Sequence, residues 1–295
     1  MALGDVHYCD DFKPDFGIPW VSNPPDSVLM SWPKEKLAEY LTFREQRNHD
    51  ALMNPVGAGW ILPSWQTMMK NWDKYTNHVI LGGNRSSKSM IASRLCVWAA
   101  GTIPGAEVRA YHVNEDRSIE DQQRMIWDAL PDGIRNLPTK KGLNHSVQYS
   151  QKNGFTDNIC ILPPVNGFRR GGSIKFSNYR SYQADAQVAE GFKAHLIWCD
   201  EECPQKMFET LQYRTTDYHG RILLTFTTLT GWTPLVQDIL GKTRTLEKRF
   251  APLVGRELPV VQESLSRPGT IIYYFWTEDN SFIDTSDFRN KLLGR

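Results

Sequence analysis

Long apolar runs are missing from this sequence of 295 residues. Nothing approaches the roughly 20 consecutive apolar residues that a membrane-spanning helix needs. The first residues, Met1 to His7, have neither the charged nor the apolar region of a secretory leader. Cysteine is sparse and scattered. The five (Cys9, Cys96, Cys160, Cys199, Cys203) are odd in number and form no C-x-x-C pair. That pattern excludes a disulfide scaffold and points to reduced thiols in a cytosolic protein. Cys199 and Cys203 with His195 fit no tetrahedral zinc spacing, and burial is their expected role. Charge of one sign is lacking too: the net charge is +1 and the pI is near 7.7. Tight constitutive binding of nucleic acid by a lone subunit is therefore not expected. There is no internal repeat, no low-complexity tract, no G-x-S-x-G elbow and no Ser/His/Asp order. What remains is a chain with 40% apolar residues, enough for a large core in one or two domains.

Residues 1–60 form a Pro- and Trp-rich segment, a lid or linker, in which Pro14, Pro19, Pro24, Pro25 and Pro33 interrupt any long element. One helix is predicted there, from Pro33 to about Arg47, with Leu37, Tyr40, Leu41 and Arg44 on one face. Over 61–280 strand and helix signals alternate. Strands are predicted at Val79–Leu81, Val108–Val113, Ile159–Leu162, Ile174–Ser177, Leu196–Cys199, Ile222–Thr227 and Ile271–Trp276. Helices are predicted at Ser87–Ala100, Asp116–Leu130, Gln205–Thr215 and Pro234–Leu240, with a loop-rich insertion over 131–158. Apolar strands alternating with amphipathic helices imply an α/β fold: a mostly parallel sheet with helices on both faces.

The chemistry is concentrated in two stretches. Residues 79–89, VILGGNRSSKS, read as a buried strand, a glycine-led loop and a helix start. The phosphate-loop (Walker A) pattern is G-x-x-x-x-G-K-[ST]. Its backbone N–H groups cradle phosphate oxygens, its lysine reaches the β/γ-phosphates and its hydroxyl binds Mg²⁺. Gly82, Lys88 and Ser89 fit, with Gly83, Asn84, Arg85 and Ser86 lining the loop. Ser87 stands where the second glycine is expected; if that position needs φ > 0, serine costs about 1 kcal/mol more than glycine. Residues 196–202, LIWCDEE, read as a buried strand ending in acids, the Walker B pattern. A carboxylate at the carboxyl end of a buried parallel strand faces the crevice where such sheets bind ligands. Asp200 is the candidate Mg²⁺ residue and Glu201 the candidate base for the attacking water. The alternative for these acids is N-capping of the helix from Gln205, a role Glu202 also suits. Arg85 is positioned to stabilise charge on a γ-phosphate, or else is a solvent-exposed loop residue. A Gln amide matches the donor and acceptor of an adenine edge, but on its own Gln66 reads as just a polar residue on a helix. Thr227 and Thr228 end a strand and are either simply good strand residues or hydroxyls facing the same crevice as Asp200.

Together, PSWQ (63–66), GGNRSSKS (82–89), IWCDEE (197–202) and LTFTTLTG (224–231) resemble the large terminase subunit of tailed bacteriophages. The likeness is to its N-terminal packaging-ATPase domain, over about 60 to 280. It implies a P-loop NTPase of the ASCE/RecA-like class, with an extra strand between the loop strand and the acidic strand. It implies ATP and Mg²⁺ as cofactors. It assigns Gln66 to the adenine motif, Lys88 and Ser89 to the phosphate loop, and Arg85 and Glu201 to catalysis. Asp200 takes Mg²⁺, while Thr227 and Thr228 couple hydrolysis to DNA movement. The implied partners are double-stranded DNA, the portal ring, the small terminase subunit and further copies of this chain in a homo-oligomeric ring, with no membrane, in the cytoplasm of an infected bacterium. Two departures stand out: Ser87 replaces a glycine, and Glu190 precedes Gly191 where relatives often carry Arg or Gln. Large terminases also carry a nuclease domain; residues 281–295 read as the start of a linker toward one, and this chain is expected to be an ATPase without nuclease activity. Two rival expectations are a RecA-like DNA-dependent ATPase or helicase, and a weakly active structural ring component.

Overall fold

The computed structural model describes residues 7–138, 144–165, 171–227, 231–251 and 255–283. Nine strands form one sheet: β1 (Asn77–Gly82), β2 (Glu107–His112), β3 (Ile159–Ile161), β4 (Ser173–Asn178), β5 (Leu196–Asp200), β6 (Arg221–Phe226), β7 (Thr243–Ala251), β8 (Arg256–Ser264) and β9 (Thr270–Phe275). Across the sheet they run in the order β7-β8-β9-β1-β6-β5-β2-β4-β3. From β9 to β4 all neighbours are parallel. β8 is antiparallel to β7 and β9, and β3 to β4. β6 therefore stands between β1 and β5, the extra strand that the resemblance implies.

The principal helices are α1 (Lys34–Met53), α2 (Pro63–Lys70), α3 (Lys88–Thr102), α4 (Arg124–Ala129), α5 (Tyr179–Ala184), α6 (Gln205–Thr215) and α7 (Pro234–Leu240). Side chains alternate across a strand, so each apolar strand feeds two cores. Ile80, Trp198 and Leu223 pack on one face with Leu95 and Cys96 of α3 and with Trp65 of α2. Val79, Leu81, Cys199 and Leu224 pack on the other with Met207 and Phe208 of α6 and Val236 of α7. α3 is buried nearly all round, as its lack of a polar face requires. All five cysteines are buried thiols without a disulfide. Among the described residues, no helix is long and apolar enough to cross a membrane.

Three sequence expectations are corrected. α1 extends to Met53, and Leu41 is exposed rather than on the inner face with Leu37, Tyr40 and Arg44. No α1 residue is buried; the helix is held instead by Arg44 and Arg47 lying about 5 Å over the Trp60 ring. The helix expected over 116–130 contains a π-helical stretch at Ser118–Gln123, where Gln122 and Gln123 are both fully buried. The hairpin β7–β8 was not expected at all. β7 is charge-rich and β8 carries Pro259, both strands are largely exposed or half-buried, and neither has the apolar alternation that marks a central strand. Among the basic residues of β7, Arg244 pairs with Glu263, Lys248 with Glu257, and Arg249 with Glu278 and Asp279.

The segment before residue 60 reaches the core at Cys9 and Phe16, and Ile18–Pro19 pairs in parallel with Trp60–Ile61. Asp10 pairs with the buried Arg221 at the start of β6. His195 Nδ1 accepts the N–H of Glu107 and its Nε2 faces the carbonyl of His7, both at 3.1 Å.

Candidate functional site

The site lies at the carboxyl ends of β1, β6, β5 and β2, where a parallel sheet opens to ligands. β1 runs into the loop at Gly82. A Cβ there would stand 2.4 Å from Ser86 Oγ and 2.6 Å from the carbonyl oxygen of Phe275, so only glycine fits. Arg85 and Ser87 both take left-handed backbone, with φ of 64° and 67°. The φ > 0 condition raised for Ser87 is thus met. Gly83, Asn84 and Arg85 are exposed, whereas Ser86, Ser87 and Lys88 are buried. Ser86 Oγ has no hydrogen-bond partner among the described residues, a buried hydroxyl left over inside the loop. Lys88 Nζ lies 3.1 Å from the Gly83 carbonyl. Burial pulls the Lys88 pKa down, and the carboxylates of Glu201 and Asp200 oppose that fall. From the far side, Thr277 Oγ1 donates to the Asn84 carbonyl at 2.9 Å and Asn280 Nδ2 to the Arg85 carbonyl at 2.6 Å. Gln66 is half-buried on α2, whose preceding residue Trp65 donates its indole N–H to Ser87 Oγ at 3.1 Å.

The acidic stretch closes the site. Ser89 Oγ donates to Asp200 Oδ1 at 3.1 Å, and Thr225 Oγ1 donates to the same oxygen at 2.6 Å. Trp198 Nε1 in turn donates to Thr225 Oγ1 at 2.7 Å. Burial pushes the Asp200 pKa up to about 6, against the two hydroxyl bonds and Lys88. His112, the last residue of β2, holds Nε2 at 3.8 Å from Asp200 Oδ2. Its Nδ1 accepts the N–H of Val113, so the neutral ring carries its proton on Nε2, facing Asp200. Burial lowers the His112 pKa. Glu201 follows with φ 63°, its N–H donated to the Thr225 carbonyl at 2.8 Å. Tyr179 OH lies 2.8 Å from the Asp200 carbonyl and 3.0 Å from that of Glu201. Burial raises the Glu201 pKa, and the Asp200 charge raises it further. Thr227 Oγ1 donates to the Gly82 carbonyl at 2.9 Å, joining the end of β6 to the start of the loop. Thr228 lies outside the described residues.

The helix-capping alternative for the acids is corrected. α6 begins after Pro204 with no side-chain cap, and Glu202 instead accepts the hydroxyl of Thr233. Sequence reasoning missed Trp65, His112, Tyr179 and Thr225. A signal for His112 and Tyr179 did exist: both sit at the carboxyl ends of parallel strands. Trp65 and Thr225 had none beyond their nearness to Gln66 and Thr227.

No protein-family model and no curated protein matches the chain. Solved structures do. The large terminase of a thermophilic bacteriophage, in complex with ADP, aligns over 78% of this chain and 49% of its own at 11% identity and a TM-score of 0.51. The same protein with ATP-γ-S aligns over 78% and 48% at 11% identity and a TM-score of 0.50. The large terminase ATPase domain of Thermus phage P74-26 aligns over 68% and 75% at 18% identity and a TM-score of 0.44. The chain thus shares its fold with the aligned part of the large terminase of that thermophilic phage, and it spans about half the length of that protein.

Proposed function

We propose that this chain is the ATPase motor of a large terminase, hydrolysing ATP to drive viral double-stranded DNA into a procapsid. It would act as a homo-oligomeric ring on the portal, with the small terminase subunit, in the cytoplasm of the infected host. One observation carries the reading. Ser89 at the start of α3 and Asp200 at the end of β5, 111 positions apart, share a hydrogen bond, with Lys88 and Glu201 flanking them.

In this reading Gln66 pairs with the adenine edge, and the loop amides from Gly82 to Ser89 take the phosphates with the buried Ser86 hydroxyl. Lys88 leaves the Gly83 carbonyl for the β/γ-phosphates. The Ser89 hydroxyl and the Asp200 carboxylate are hard oxygen donors suited to Mg²⁺, which neutralises phosphate charge when bound. Glu201 takes a proton from the attacking water as its oxygen bonds to the γ-phosphorus and the bond to the β–γ bridging oxygen breaks. Burial and the neighbouring Asp200 both raise the Glu201 pKa, which makes it the stronger base. Arg85, exposed at the loop rim, is free to meet charge on the γ-phosphoryl group. Thr227, bonded to Gly82, and Thr228 pass the change at the phosphates into β6 and on to DNA.

The test is steady-state hydrolysis. Wild-type chain should release phosphate from ATP in Mg²⁺, and Lys88→Ala should reduce this to background while weakening ADP binding. Equal turnover in the two would end the phosphate-loop assignment.

A further inference from the structure

We propose that Trp65 is a positioning residue for the phosphate loop, and that its bond to Ser87 replaces the freedom a second glycine would supply. The proposal rests on the nucleotide-binding role above and extends it to a residue outside the loop. Ser87 sits at φ 67°, a region glycine enters freely and a residue with a Cβ does not. Such a residue persists only where its surroundings over-determine it. Here the determinants are two. Trp65 Nε1 donates to Ser87 Oγ at 3.1 Å, and the Ser87 carbonyl accepts the N–H of Ile91 at 3.2 Å as α3 begins.

Trp65 is itself held. It is fully buried, with the Arg94 guanidinium 5.1 Å above its ring and the Phe282 ring centred 5.8 Å away. Arg94 is fixed in turn by donating to the Trp60 carbonyl at 2.8 Å. The latch therefore runs from α3 through Arg94 to α2 and back to the loop. Gln66 follows Trp65 in α2, so the same helix meets the base and holds the loop. Glycine at position 87 would remove the backbone penalty but also the acceptor, leaving a buried indole N–H unpaired. The serine is thus matched to Trp65 rather than being a weakened glycine.

ADP titration and steady-state ATPase kinetics of wild type, Ser87→Ala, Ser87→Gly, Trp65→Phe and the Trp65→Phe/Ser87→Gly pair test this. Ser87→Ala keeps the Cβ and loses the acceptor. It should bind ADP about tenfold more weakly, because the binding-ready loop becomes a minor state. KM should rise by a larger factor than kcat falls, since the loop is displaced while Asp200 and Glu201 are untouched. Ser87→Gly should fall between wild type and Ser87→Ala. Trp65→Phe should match Ser87→Ala, and adding Ser87→Gly to it should restore binding to within about threefold, because no N–H is then orphaned and no φ strained. If Trp65→Phe fails to fold, the order wild type, Ser87→Gly, Ser87→Ala decides alone. Ser87→Ala binding as tightly as wild type, or a double variant no better than Trp65→Phe, overturns the latch. Wild-type chain that binds no ADP overturns the nucleotide reading instead.

Discussion

Two adjacent carboxylates at the end of β5 sit in different surroundings, and that difference separates their expected roles. Asp200 is tied to Ser89 and Thr225 by its side chain, whereas Glu201 is held chiefly through its backbone, by Thr225 and Tyr179. Glu201→Gln should leave ADP binding nearly intact while lowering kcat by roughly two to four orders of magnitude, because only proton transfer is lost. Asp200→Ala should instead abolish the Mg²⁺ dependence of nucleotide binding. Exchange of these two phenotypes in titrations and turnover assays would reverse the roles along the strand end.

At the scale of elements, β5 and β6 act on the site as a pair. Thr225 is fully buried in β6; it accepts the Trp198 indole N–H from β5 and donates to Asp200. Thr225→Val keeps the volume but orphans that N–H and removes one of the two hydroxyls on Asp200. It should cost roughly 1–3 kcal/mol of stability, read from the urea midpoint, and lower ATPase activity as well. Unchanged stability would mean that the Trp198 bond is made to something else. The π-helical stretch and the hairpin β7–β8 belong to this scale too. Each depends on partners distant in sequence, such as Gln123 donating to Asn158 and accepting from Phe155.

For the whole molecule, buried histidines set an acid limit. Burial holds His195 down to about 4 and His78 to about 3, against an ordinary value of 6.5. Both are neutral in the folded chain, whereas the unfolded chain protonates them below about pH 6.5. Stability from each is therefore present above that pH and is lost as pH falls toward the folded values. Between pH 7 and 5 the loss should be on the order of 1–2 kcal/mol per histidine. His195→Gln should flatten the decline of denaturation midpoint over that interval, and parallel slopes would clear His195 of the effect.

Short-range pattern was enough to read much of this protein. Apolar runs of a few residues placed β1, β5 and β6. The bounds of α6 and α7 also agree with their expectations, because periodicity and an initial proline are local signals. The loop and the acids stood out in the sequence for the same reason, residue types at fixed spacing, and their phosphate role is the one proposed above. Tertiary structure alone decided what those residues touch. It set β6 between β1 and β5, which brings Thr225 under Asp200 and Thr227 onto Gly82. It brought His112, at the end of β2, and Tyr179, at the start of α5, to the acids, and set Trp65 against the serine that breaks the glycine pattern. Spacing along a chain specifies local backbone, whereas contacts between distant residues follow from strand order and from which buried donors must find acceptors once water is gone.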